Sequence, residues 1–402
     1  MSDTWVDVPA GSLFPITNLP YGVVVSPAQD RRIVVVRIGD RVIDLARLAD
    51  AGLLPDRDWW ATGSLNAFMA DGPEQWQRVR ERLVELLSDE TRADAVMPAM
   101  LPLADVTAVL PFGVADYVDF YASEQHATNL GRILRPGQEP LLPNWRHLPV
   151  GYHGRSGTVV VSGTPVRRPS GLRVEPGADG PSYGPSQRLD IEAEVGFVVG
   201  APSMLGVPLS TSSFADHVFG VCLVNDWSAR DIQSFEYQPL GPFLGKSFAT
   251  SVSPWVVPLD ALSAARSSAR SAGTRLATYL QESEPWGLDL TLEVRLNGIP
   301  ISRPPFGGMH WSPAQMLAHM TANGASVRTG DLYASGTVSG VEPDTWGSLI
   351  ELSWNGERPV TMPDGSTRGF LEDGDEVVIT ATAPGTDGRP IGFGEVVGRI
   401  EP

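Results

Sequence analysis

The chain has 402 residues, enough for two domains and a large core, and at 42% hydrophobic and 19% charged residues it has the balance of a soluble globular protein. Its formal charge of −17 argues against nucleic acid or an anionic membrane as partner. The one cysteine, Cys222, excludes a disulfide framework and a cysteine-ligated zinc site.

The first residues lack a basic and then apolar leader, and no apolar run reaches about 18 residues, so a cytoplasmic protein is expected. Gly 42 and Pro 35 favour many short strands over long helices. Residues 1–110 read as a small β-barrel-like module with a few helices. Val23–Val25, Ile33–Val36 and Arg41–Leu45 are its β-branched runs, separated by Pro, Asp and Gly. Trp76, Val79, Leu83 and Leu87 recur at helical spacing through Glu74–Ser88. Pro98–Pro111 reads as a boundary, with a second domain over 111–402.

Just beyond the boundary, Asp119, Tyr121, His126 and Arg135 offer a hard-metal ligand, a phenol, an imidazole and a fork for carboxylates. Ser123 is placed to cap a helix that Gly131 and Pro136 would bracket at its end. Gly157–Gly163 encloses a buried strand. Leu189–Val199 alternates: Leu189, Ile191, Ala193, Val195 and Phe197 point one way, and Asp190, Glu192 and Glu194 the other. Val218–Asn225 is nearly all apolar, as a strand covered on both faces should be, and runs into Asp226. Gln233–Pro254 is turn-rich and contains Lys246. Ala261–Glu284 reads as a solvent-facing excursion. Leu290–Leu296 alternates again. Ser312 and Pro313 supply the cap and first residue of a helix reaching about Asn323. Asp331–Gly340, Leu349–Trp354, Asp375–Ala381 and Gly392–Ile400 read as further short strands. The spacing favours a mixed β-roll or barrel-like core over alternating βαβ units.

Glu192 and Glu194 share a strand face about 6.6 Å apart, and Asp226 lies at the end of a buried strand, where an ionised carboxylate needs a partner. With Asp119 they make an oxygen-rich set that suits Ca²⁺ or Mg²⁺ rather than Zn²⁺. Of the 30 cationic side chains only Lys246 is a lysine, which points to a role a guanidinium cannot fill. Gly241–Ser247 is not a phosphate loop, because three residues rather than four separate its glycines and Pro242 removes an amide. No Gly-x-Ser-x-Gly elbow supports serine chemistry. Of the six histidines none pairs at metal-helix spacing; His217 and His319 read as structural. His126 is the best candidate base, with Glu351 a possible orienter of its ring.

Five segments together carry a family resemblance. They are Asp-Phe-Tyr-Ala-Ser-Glu-Gln-His-Ala-Thr-Asn (119–129), Pro-Asn-Trp-Arg-His-Leu-Pro-Val-Gly-Tyr-His-Gly-Arg (143–155), Leu-Asp-Ile-Glu-Ala-Glu (189–194), Asn-Asp-Trp-Ser-Ala-Arg-Asp-Ile-Gln (225–233) and Pro-Leu-Gly-Pro-Phe-Leu-Gly-Lys-Ser-Phe (239–248). With 14–22 and 334–337 they resemble the fumarylacetoacetase (fumarylacetoacetate hydrolase) family in order along the chain, with visible departures at 171–187 and 261–285. The resemblance implies a mostly β, α+β fold: a small SH3-like N-terminal barrel followed by a β-roll catalytic domain. It implies a homodimeric, metal-dependent hydrolase that splits 4-fumarylacetoacetate into fumarate and acetoacetate in tyrosine and phenylalanine breakdown. Carried over by residue, Asp119, Glu192, Glu194 and Asp226 would ligate Ca²⁺, and Asp226, Lys246 and Thr250 a second ion, Mg²⁺. His126 would be the base, Glu351 its orienter and Lys246 a stabiliser of the departing enolate. Tyr121, Arg135, Tyr152, Gln233, Tyr237 and Thr337 would line the dicarboxylate β-diketone. Other readings are an acylpyruvate hydrolase or oxaloacetate decarboxylase of the same superfamily, or a non-catalytic carboxylate-binding module that uses a metal.

Overall fold

The β-branched runs near the N-terminus pair with one another and then with strands from far along the chain. In the structure, a computed structural model, residues 4–27, 31–175, 177–268 and 275–402 are described. Strands β1 (Tyr21–Ser26), β2 (Arg31–Ile38) and β3 (Arg41–Asp44) form an antiparallel meander. Val23, Val34 and Val36 face one cluster, Val24, Ile33 and Val35 another, so uninterrupted apolar runs are explained by cover on both faces. Helix α1 (Pro73–Ser88) buries Val79, Leu83, Leu86 and Leu87 against the first of these clusters. The Pro98–Pro111 stretch is not bare linker: Met100–Pro102 pairs with β3 and Thr107–Val109 with β1.

The elements that build the site follow. They are β4 (Tyr117–Phe120), α2 (Glu124–Leu134), β5 (Gly151–His153), β6 (Ala193–Val199), β7 (Val218–Asp226), α3 (Arg230–Glu236), β8 (Thr250–Val252), β9 (Trp255–Pro258), α4 (Pro313–Thr321), β10 (Leu332–Ala334) and α5 (Leu349–Leu352). One 13-stranded sheet runs from Met100–Pro102 through β3, β2, β1, β9, β7, β6, β10 and β4 to β5, with β8 branching from β7. The N-terminal meander joins it where Tyr21 pairs with Val256 and Gly22 with Trp255. Glycine is required there, since a Cβ on residue 22 would lie 2.6 Å from the Trp255 ring.

A five-stranded sheet, Ile299–Ser302, Thr291–Leu296, Glu376–Pro384, Pro390–Glu401 and Val166–Arg167, packs on the first. Its inward Leu292, Val294, Ile379 and Val396 share a core with Val195, Phe197, Val221 and Leu223 of β6 and β7. The result is a mixed fold of large sheets with few helices, and no helix among the described residues is long and apolar enough to cross a membrane.

Several expected elements differ. Leu349–Trp354 is not a strand: α5 is one helical turn, because the Leu349 and Ile350 amides donate to the Asp190 carboxylate instead of to a neighbouring strand. Leu189–Val199 is interrupted, with Leu189–Asp190 pairing to Ser228–Ala229 and only β6 entering the large sheet. Gly131 lies within α2 rather than at its end, where a Cβ would meet the Pro140 carbonyl at 2.0 Å. The strand between Gly157 and Gly163 is only partly buried, and that in Asp331–Gly340 shrinks to β10. The Ala261–Glu284 excursion is anchored rather than solvent-facing at both ends, with Ala261, Leu262, Ala265 and Leu280 in the core; residues 269–274 lie outside the described residues.

Candidate active site

Register brings the predicted ligands together. β10 sits between β6 and β4 and pairs Ala334 with Asp119, while β7 on the other side of β6 pairs Asn225 with Ala193. The Asp226 amide then donates to the Glu192 carbonyl at 3.2 Å. As a result Asp119, Glu192, Glu194 and Asp226 each offer an oxygen within 4.8 Å of all the others, and all four residues are buried. The same registers set Tyr152 opposite Asp119 and Thr250 opposite Asp226. The Thr250 hydroxyl donates to Asp226 Oδ1 at 2.9 Å and the Tyr152 phenol to Asp226 Oδ2 at 3.4 Å.

Burial, and then repulsion from Asp226, pushes the Asp119 carboxyl well above the usual carboxylate range. Glu194 is pushed up in the same way, by burial and then by Asp119. Burial also raises Asp226, against the opposing pull of Lys246. Glu192 goes the other way: burial alone would raise it, but Lys246 and Arg230 outweigh burial and hold it down. Lys246 donates to Glu192 Oε2 and, at 2.7 Å, to Asp226 Oδ2, and these carboxylates keep its ammonium charged although burial opposes that. Asp119 Oδ1 and both Glu194 oxygens are buried without a hydrogen-bond partner. Such atoms are costly to leave bare, and a donor set made wholly of oxygen fits Ca²⁺ or Mg²⁺.

Beside the cluster, the Ser123 side chain caps α2 by accepting the His126 amide at 3.2 Å, which fixes the histidine in the first turn. His126 is 2% exposed, so its ring does not face bulk solvent. Its Nδ1 lies 2.7 Å from Glu351 Oε2. That oxygen also accepts from Ser339 at 2.9 Å and Ser348 at 2.7 Å, and Oε1 accepts from Asn129 at 2.9 Å. Burial would raise Glu351, but His126, Asn129 and Ser348 outweigh it and hold the carboxyl below its ordinary value. An ionised carboxylate only accepts, so Nδ1 is the donor to Glu351, and in the neutral form of the ring the lone pair is on Nε2.

The remaining predicted residues are distributed as follows. Tyr121 stands edge-on to the His126 ring with centroids 5.3 Å apart, and burial raises its phenol. Arg135 closes α2 and donates through Nη2 to the Pro140 carbonyl at 2.8 Å, leaving Nε buried and unpartnered. Gln233 accepts from Arg230 at 3.2 Å and Tyr237 follows α3. Thr337 is buried with its hydroxyl unpartnered. A cavity of about 100 Å³ reaches Asp226, Lys246, Thr250, Tyr152 and Arg155. A larger one of about 470 Å³, lined by Gln125, Arg266 and Asp289, does not touch the carboxylates.

Asp190 and Arg230 escaped the sequence reading. Arg230 donates through Nε to Asp190 Oδ2 at 2.7 Å, pairs through Nη1 with Glu192 Oε1 at 2.8 Å, and keeps Nη2 buried and unpartnered. The period-two row Asp190, Glu192, Glu194 was the available signal, since three carboxylates on one buried face demand a cation from elsewhere.

Two family models cover the chain: "Fumarylacetoacetase N-terminal" over residues 17–111 and "Fumarylacetoacetate (FAA) hydrolase C-terminal" over 116–401. The chain is 44% identical over 416 residues to the fumarylacetoacetase of Homo sapiens, covering 99% of both. It is 42% identical over 415 residues to that of Arabidopsis thaliana, covering 99% of this chain and 98% of that one. Among solved structures, a fumarylacetoacetate hydrolase from psychrophilic Exiguobacterium antarcticum superposes with a TM-score of 0.57 at 17% identity, over 95% of this chain and 99% of that one. A likeness at that identity concerns the fold alone.

Proposed function

Because the chain belongs to the fumarylacetoacetate hydrolase family, we propose that it hydrolyses the carbon–carbon bond of 4-fumarylacetoacetate to fumarate and acetoacetate, the last step of tyrosine and phenylalanine breakdown. The observation that carries the reading is the buried His126–Glu351 pair standing beside four convergent carboxylates. Asp119, Glu192, Glu194 and Asp226 would hold Ca²⁺ or Mg²⁺, and Asp226, Lys246 and Thr250 a second ion. When bound, the cation supplies positive charge that polarises the substrate's keto oxygens.

The chain's own groups do the rest. His126 Nε2 takes a proton from water as the water oxygen attacks the carbonyl on the fumaryl side, and Glu351 steadies the imidazolium that forms. The unpartnered Arg230 Nη2 and the Lys246 ammonium are donors for the oxyanion. As the carbon–carbon bond breaks, its electron pair leaves with the acetoacetate fragment as an enolate. The proton held by His126 then returns to that carbon. Arg135 offers a fork for a terminal carboxylate, and Tyr121, Tyr152, Gln233, Tyr237 and Thr337 line the substrate. The test is loss of β-diketone absorbance on mixing protein with fumarylacetoacetate, with fumarate and acetoacetate identified as products. Turnover of acylpyruvates but not of fumarylacetoacetate would overturn the assignment.

Cation uptake carries a pH signature. Asp119 and Glu194 hold protons more tightly than free carboxylates, whereas a cation needs them ionised. Uptake should therefore release protons, and affinity should rise with pH. Calorimetric Ca²⁺ titrations in buffers of different ionisation enthalpy should register that release; a buffer-independent enthalpy would contradict it.

A division near residue 111 is in keeping with family models that end at 111 and begin at 116; an SH3-like module over 1–110 and a β-roll over 111–402 are the folds the reading assigns to the two parts. A homodimer in the cytoplasm is the accompanying assembly and location, and light scattering of the purified protein tests the former.

A further inference from the structure

Asp190 lies outside the carboxylates grouped for a cation, yet it is fully buried and its side chain carries four bonds. Oδ1 accepts from the Ile191 and Leu349 amides, each at 2.7 Å. Oδ2 accepts from the Ile350 amide at 3.2 Å and from Arg230 Nε at 2.7 Å. Two of those donors begin α5, and α5 carries Glu351. The fourth belongs to the guanidinium that reaches Glu192 with Nη1 and keeps Nη2 bare. One carboxylate thus touches the element behind the imidazole and the cation beside the carboxylate cluster.

We propose that Asp190 is a positioning residue for the hydrolysis, setting both the aim of Arg230 and the place of Glu351 behind His126. The proposal rests on the functional reading above. Its physical basis is that Asp190 anchors the backbone of α5 and one edge of the guanidinium, whereas Ser339, Ser348 and Asn129 hold only the Glu351 carboxylate itself. A four-residue helix is far too short to be stable by itself, so the position of Glu351 depends on what satisfies the first amides of α5. An arginine freed from Asp190 would have Glu192 as its remaining anionic partner and would turn both arms of its fork toward it. That removes the bare Nη2 from where it stands. A simple core ion pair would require neither the two α5 amides nor the split of the guanidinium between two carboxylates.

The experiment compares wild type, Asp190→Asn and Asp190→Glu as full-length protein with saturating Ca²⁺. Asparagine keeps an acceptor for the amides but loses the charge that holds Arg230; glutamate keeps the charge and displaces it by one methylene. Either variant that folds should show kcat per active site lowered by about 100-fold with KM changed less than about threefold, the pattern of lost transition-state interactions. In a Glu351→Gln background the same change should cost less than about tenfold further, because the part that runs through Glu351 is already lost and only the part that runs through Arg230 remains. A readout independent of turnover is the NMR resonance of the His126 Nδ1 proton, which should shift or broaden in either variant. Wild-type kcat in the folded fraction, full multiplicativity with Glu351→Gln, or an unmoved Nδ1 proton would overturn the proposal. Should wild type itself not cleave fumarylacetoacetate, the functional reading fails and the imidazole resonance still decides the role of Asp190.

Discussion

Exchanging His126 for glutamine is expected to lower kcat for fumarylacetoacetate by about 10²- to 10⁴-fold, the usual contribution of a positioned general base, while leaving Ca²⁺ binding intact. Glutamine is the informative replacement because its amide can still donate to Glu351. Alanine would strand a buried carboxylate, and breaking a buried pair in this way costs about 3–5 kcal/mol, so lost activity and lost folding would be confounded. In the glutamine variant Ser339, Ser348 and Asn129 also continue to hold Glu351, so the carboxylate stays in place and only the proton acceptor is removed. His126 contributes no oxygen to the four-carboxylate cluster, which is why cation affinity measured by calorimetry should not change. A glutamine variant within tenfold of the wild-type rate would remove His126 as the base.

Exchanging Glu194 for glutamine should have opposite effects on the cation-free and cation-loaded protein. Both Glu194 oxygens lack partners and its carboxyl is pushed up by burial and by Asp119. A carboxyl whose folded pKa is raised binds more protons folded than unfolded, so it subtracts stability as pH rises from the ordinary carboxylate range through the raised value. In the presence of chelator the wild type should therefore lose melting temperature as pH rises above the ordinary carboxylate range, and the glutamine variant should lose less. With Ca²⁺ at 100 times its Kd the wild type should gain about 2.7 kcal/mol, whereas the variant should gain little and lose activity. Scanning calorimetry with chelator and with Ca²⁺ at two pH values separates these effects. Equal stabilisation of both proteins by Ca²⁺ would mean that the carboxylate cluster is not where the ion sits.

The parts of the site legible in the sequence were those written in local periodicity. Two-residue alternation placed Glu192 and Glu194 on one face, and a serine three residues before His126 announced the cap that holds it. The lone lysine stood out against a background of arginine and lies on two of the four carboxylates. Asp190 belonged to the same alternating row, but an acidic side chain on a strand face reads as solvated until something is known to cover it. Arg230 was hidden for a matching reason, since arginine is the chain's ordinary cation and its position in sequence says nothing about which carboxylates it meets.

Residue type and spacing alone therefore determined the chemical inventory: oxygen donors, an imidazole and one ammonium, on a framework of short strands, while the meeting of His126 with Glu351, 225 residues apart, was left to the fold. Local rules suffice for these because a cap, an alternating strand or a covered β-branched run leaves its pattern in residues only a few positions apart, even where its stabilising partners are distant. Only the tertiary structure decided that 119, 192, 194 and 226 converge, since strand register between distant segments sets that. It also made Leu349–Leu352 a helical turn and not a strand. A segment so short has no conformation of its own, and it takes the one in which its amides find the buried carboxylate of Asp190.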